Sequence, residues 1–104
     1  MTHLKDLKLT DFVAHIGEIF MIKLIDDNQQ IIEYPLTLIS AQPIVTQSHN
    51  NRQSFSLTLQ HERTDIYLQQ GTYPLEHSAL GVLHLFIVPL GPHSTGMQYE
   101  VIFN

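Results

Sequence analysis

Apolar and polar residues alternate along most of this chain, and a period of two predicts strands rather than helices. Phe20, Ile22 and Leu24 alternate with Met21, Lys23 and Ile25. Asp26-Asp27-Asn28 reads as a turn, and Gln29-Gln30 start a return strand with Ile32, Tyr34, Leu36 and Leu38 on one side. Pro35 lacks a ladder donor, which predicts an edge position or a bulge. Gln47 to Gln53 reads as a polar loop. The cleanest strand follows it, with Phe55, Leu57 and Leu59 inward and Ser54, Ser56, Thr58 and Gln60 outward. Ile66-Tyr67-Leu68 and Thr72-Tyr73-Pro74-Leu75 come next, and Glu76 to Gly81 reads as a connection with its own packed Leu80. Val82 to Leu90 is apolar on both sides apart from His84. Gly91 to Gly96 reads as the last hairpin loop, and Gln98 to Asn104 closes the chain with Tyr99, Val101 and Phe103 inward.

Ahead of the strands, Thr10 is a candidate N-cap, Asp11 suits the first turn of a helix, and Gly17 is a candidate stop. Phe12, Val13 and Ile16 supply its apolar stripe. A helix of about two turns is unstable alone, so Phe12 and Ile16 are expected to pack on something and plug one end of a sheet. The fold predicted is mainly β: a single domain over residues 1–104, an antiparallel meander of six or so strands curled into a small barrel or sandwich, with one short N-terminal helix.

Composition narrows the function. Five basic against ten acidic residues give a formal net charge of -5, and no basic run stands out, which argues against a nucleic-acid partner. The chain has no cysteine, so disulfides and thiolate metal sites are excluded and a cytoplasmic location is expected. Met1 to Asp6 lacks the apolar core of a signal peptide, and Val82 to Leu90 is too short to span a bilayer as a helix, so no membrane role is expected. Only 14% of residues are charged, which leaves room for a surface covered by a partner.

Candidate chemistry is sparse. Seven histidines (His3, His15, His49, His61, His77, His84 and His93) show no short ligand spacing, and the best grouping is His77, His84 and Glu76 with His61. No metal or cofactor is expected. Glu76-His77 is the most enzyme-like pair, since a carboxylate can orient an imidazole as a base. Adjacent strand residues face opposite ways, however, so a turn brace is the favoured reading and no catalytic residue is assigned. Glu18, Glu33 and Glu100 offer paired acids that nothing in the sequence brings together. The aromatics Phe20, Tyr34, Phe55, Tyr67, Tyr73, Phe86, Tyr99 and Phe103 read as core by their alternation.

The run from Gln70 to His77, then Leu80-Gly81, Leu85 to Pro92, Met97 to Glu100 and Phe103-Asn104, resembles an uncharacterised bacterial family, the domain of unknown function numbered sixty-nine sixteen. Leu9 to Phe12 and Gly17 match as well. The family pattern has proline after the Glu-His pair, where this chain has Ser78. The resemblance implies no established activity and no site residues. It implies only that members accompany phage-tail-like proteins.

The leading functional expectation is a non-catalytic structural or protein-interaction module, with a protein partner or a second copy as its target. Its interface residues would be Met21, Ile25, Ile39, Leu83, Leu85 and Ile87, an apolar set in excess of the core. One alternative is a small-ligand-binding barrel with Tyr73, Glu76, His77 and His84 at its mouth. The other is a small hydrolase using Glu76 and His77.

Overall fold

A computed structural model describes residues 7–44, 54–93 and 96–103. The polar loop expected at Gln47 to Gln53 and the terminal Asn104 lie outside the described residues. The elements are α1 (Leu9–Val13), β1 (Ile19–Ile25), β2 (Ile31–Pro43), β3 (Phe55–His61), β4 (Gly71–His77), β5 (Gly81–His93) and β6 (Gly96–Phe103). The six strands close into an antiparallel barrel in the order β1-β2-β3-β6-β5-β4. The chain is mainly β, as the alternation predicts. The path is two three-stranded meanders rather than one, because β3 and β4 are not neighbours and residues 62–70 cross between them.

Two long strands make closure possible. β2 pairs with β1 from Ile31 to Thr37 and with β3 from Thr37 to Pro43. β5 pairs with β4 from Gly81 to Ile87 and with β6 from Val88 to His93. Each changes neighbour near a register shift, between Leu38 and Ser40 in β2 and between Pro89 and Gly91 in β5. An extra residue at such a bulge bends the strand and deepens its twist. Gly91 therefore lies inside β5, and the β5–β6 ladder runs on to the pair His93 and Gly96, beyond the loop start that the glycine spacing suggests.

Inward positions follow the period of two. Phe55, Leu57 and Leu59 of β3 and Tyr99, Val101 and Phe103 of β6 are buried. So are Leu83, Leu85 and Ile87 of β5. These three belong to the barrel interior and not to the outer face expected for them. The bulge leaves Val82 to Ile87 in one unbroken alternation, so Val82, His84 and Phe86 take the outside instead. Phe86 is 52% exposed and Tyr67 61%, which removes both from the core that alternation suggests.

Both ends of the barrel are plugged. At one end Phe12, fully buried, packs its ring 5.3 Å from Phe103, 5.8 Å from Phe55 and 6.4 Å from Phe20. The helix that delivers it is shorter than its apolar stripe suggests. Its N-cap is Lys8, not Thr10, and the Asp11 carboxylate accepts the Lys8 N–H at 2.7 Å. Gly17, at φ +92, turns the chain into β1 so early that Val13 and Ile16 stay exposed. At the other end the crossover inserts Leu68. The Leu68 N–H donates to Tyr99 Oη at 2.8 Å, Tyr99 O–H to Tyr34 Oη at 2.7 Å, and Tyr34 O–H to the Ile66 carbonyl at 3.2 Å. Every polar group in that chain has a partner, as burial requires. Desolvation, helped by the Tyr99 bond, raises the Tyr34 phenol well above its ordinary value.

Pro35 sits at a local edge of the ladder rather than at a bulge. The Leu38 N–H bonds the Glu18 carbonyl, so even-numbered N–H groups of β2 point to β1 and the Pro35 nitrogen points toward β3. The β2–β3 ladder starts at Thr37, leaving nothing opposite Pro35, and its carbonyl receives the His61 ring nitrogen Nδ1 at 2.8 Å. A missing donor costs nothing there.

Gly96 opens β6 at φ +154, and a Cβ placed on it would overlap the His61 carbonyl oxygen. Gly96→Ala is expected to lose about 2 kcal/mol of stability, because backbone atoms must separate. Urea denaturation checks this, and an unchanged midpoint would refute the close approach.

Candidate functional site

The best-formed polar cluster gathers where β4 ends. The β4 strand alternates Leu75 inward, Glu76 outward and His77 inward, so Glu76 and His77 are strand residues rather than part of a connection. After His77 the chain turns through Ser78 to Leu80 into β5. His77 braces that turn: Nδ1 accepts the N–H of Ala79 at 3.0 Å and of Leu80 at 3.1 Å. Leu80 packs against the core, as expected. With Nδ1 accepting, the ring proton sits on Nε2, which donates to Glu18 Oε1 at 2.7 Å.

Glu18 lies just ahead of β1, the strand beside β4. It follows the α1–β1 turn, in which Glu18 N–H bonds the His15 carbonyl at 3.0 Å. The same turn carries His15 Nδ1 to 2.9 Å from Glu18 Oε1. One carboxylate oxygen thus receives two ring nitrogens. The His77 bond first, then the His15 bond, holds the Glu18 carboxyl below its usual range. The rings also touch: His77 stacks on Phe20 at 4.6 Å and meets His15 edge-on at 4.5 Å. The His77 side chain is 2% exposed and Glu18 50%.

This cluster spans the thinnest seam of the barrel. β1 and β4 share one partner pair, Met21 and Glu76, whereas the other neighbouring strands share five to seven. Pro74 explains the interruption. The N–H groups of Met21 and Lys23 point to β4, and continuing the register sets Lys23 opposite Pro74, which has no N–H to return. Side chains bridge the seam instead, by Glu18 to His77 and, more loosely, by Lys23 Nζ to Glu76 Oε2 at 3.6 Å.

The four residues expected at a barrel mouth do not converge. Tyr73 is half-buried and its O–H donates to the Gln69 carbonyl at 2.9 Å. Glu76 and His84 lie on the outer face, while His77 points in. Glu76 is therefore not the partner of His77, and both nitrogens of His77 are already engaged. A general base needs a free nitrogen, which His77 lacks. Of the expected interface set, Ile25 is 75% and Ile39 42% exposed, and Met21 is half-buried at the seam.

The ligand atoms of His15, Glu18 and His77 lie within 4.8 Å of one another, close enough to hold a cation by distance. Their chemistry fits a hydrogen-bonded clasp better. A neutral His77 that ligates through Nε2 must carry its proton on Nδ1, where two backbone N–H groups already point. His61, proposed above beside His77, instead stacks on Tyr34 at 3.8 Å and bonds Pro35.

A family model described as Domain of unknown function (DUF6916) matches residues 7–103, almost the whole chain. The chain belongs to this family. No curated protein and no solved structure matches it. Within this DUF6916 chain, Glu18 is the member of the cluster whose partners, His77 and His15, reading residue by residue does not reveal. The one local hint is the spacing His15-x-x-Glu18, which sets two polar groups together in a turn. Among the described residues, no helix is long and apolar enough to cross a membrane.

Proposed function

We propose that this DUF6916 chain is a non-catalytic module that works by contact with another protein, through the end of its β1–β2 hairpin. The observation that carries this reading is the exposed pair Ile25 and Ile31, directly opposite each other across the two strands on the outer face, 75% and 67% exposed. A barrel with a filled interior has no need of these residues for its own core, and apolar surface gathered in one place marks a contact site. The turn that holds them is stiff, since one Asp26 carboxylate oxygen accepts the N–H of Asn28 at 2.9 Å and of Gln30 at 2.8 Å. A rigid presentation lowers the entropy lost on binding. Companions of the phage-tail-like kind suggested by the family resemblance are the partners to try first.

Light scattering on size-exclusion fractions tests the reading, with the products of adjacent genes added one at a time. The 11.9 kDa chain is expected to form a higher-mass species alone or with one of them. The Ile25→Asp, Ile31→Asp double variant, folded by circular dichroism, is expected to lose it. A monomer in every mixture sinks the proposal.

A further inference from the structure

We propose that the β1–β4 seam is an acid-sensitive latch, in which protonation of Glu18 loosens the side-chain bonds across the seam and lets the barrel open there while β3 and β6 stay paired. The backbone contribution at this seam is one partner pair, because Pro74 stops the ladder. What joins the strands is therefore ionisable. Glu18 Oε1 holds His77 of β4 at 2.7 Å and His15 of the preceding turn at 2.9 Å, and Lys23 of β1 faces Glu76 of β4 at 3.6 Å. Among the described residues these five are the titratable groups in contact across the site. The opposite side of the barrel has no such dependence: β3 and β6 pair at seven successive positions from Phe55 to His61.

Hydrogen bonds to an ionised carboxylate are about twice as strong as neutral ones, so adding a proton to Glu18 weakens both histidine contacts together. The direction follows from linkage. In the closed seam the two ring N–H donors hold the Glu18 carboxyl below its ordinary value of 4.5, and in an opened seam it returns there. The closed form is thus favoured at pH values above that ordinary value. The advantage fades as pH falls through it and is gone once the closed-state carboxyl is protonated too.

Opening at one seam is a sub-global event that amide exchange resolves residue by residue. Alternation along β1 points the Met21 N–H at Glu76, so these two amides report the seam, and Leu57 and Val101 in the β3–β6 ladder serve as the reference. After correction for intrinsic rates, lowering the pH of the full chain from about 6 to about 3.5 is expected to cut Met21 and Glu76 protection about tenfold relative to the reference pair. Glu18→Ala is expected to show the low seam protection at both pH values. Glu18→Gln, which keeps an acceptor without a charge, is expected to fall between them, with the pH step gone. Parallel loss of protection in both pairs, no step in the unaltered chain, or a step that survives in Glu18→Ala overturns the proposal.

Discussion

Phe12→Ala is expected to destabilise the chain by about 4 kcal/mol, the largest loss from any single truncation in this fold. Phe12 is the one fully buried side chain of a helix five residues long, and its ring meets Phe20, Phe55 and Phe103. Removing it leaves a void at the barrel end beside the stacked pair Phe55 and Phe103, 4.5 Å apart. A five-residue helix has too few internal bonds to persist without that anchor, so α1 is expected to detach as well. Denaturant titration gives the loss, and exchange at the α1 amides gives the detachment. A change under about 1 kcal/mol would show that Phe12 does not seal the barrel.

His77→Ala is expected to cost about 3 kcal/mol, from three losses that coincide in one side chain. The acceptor for two turn amides goes, the donor to Glu18 goes, and the stack on Phe20 is left half-empty. Glu76→Ala, the neighbouring change, is expected to cost less than about 1 kcal/mol, because its contact with Lys23 is long and lies in solvent. The contrast between adjacent residues tests the site assignment by denaturant titration. Equal effects at the two positions would return Glu76 to the cluster.

His77 shows how far one-dimensional reading reaches. The residue stands out because a histidine beside a carboxylate invites attention, and its role as a turn brace is legible from the Leu80-Gly81 that follows. Its partner is not legible. Glu76 is next to it along the chain and on the opposite face of the strand, whereas Glu18 is 59 residues away and in contact. The apolar set rests on one residue. In Val82 to Leu90 both alternating registers are apolar apart from His84, which alone marks the register of Val82 and Phe86 as the outer one. Pro74 is a cue of a different kind: a proline in a strand marks a side without a full ladder, and it points to the β1–β4 seam, while Pro35, which carries the same cue, faces the space beyond the end of β3.

The order of residues by itself determined the six or so strands and their approximate places, the inward faces of β3 and β6 and the turn at Asp26, because each depends on neighbours a few positions away. Only the tertiary structure decided the strand order, the plugging of both barrel ends and the meeting of His15, Glu18 and His77. A strand with alternating side chains carries the same pattern whichever strand lies beside it, so closing the barrel adds information that local periodicity does not hold.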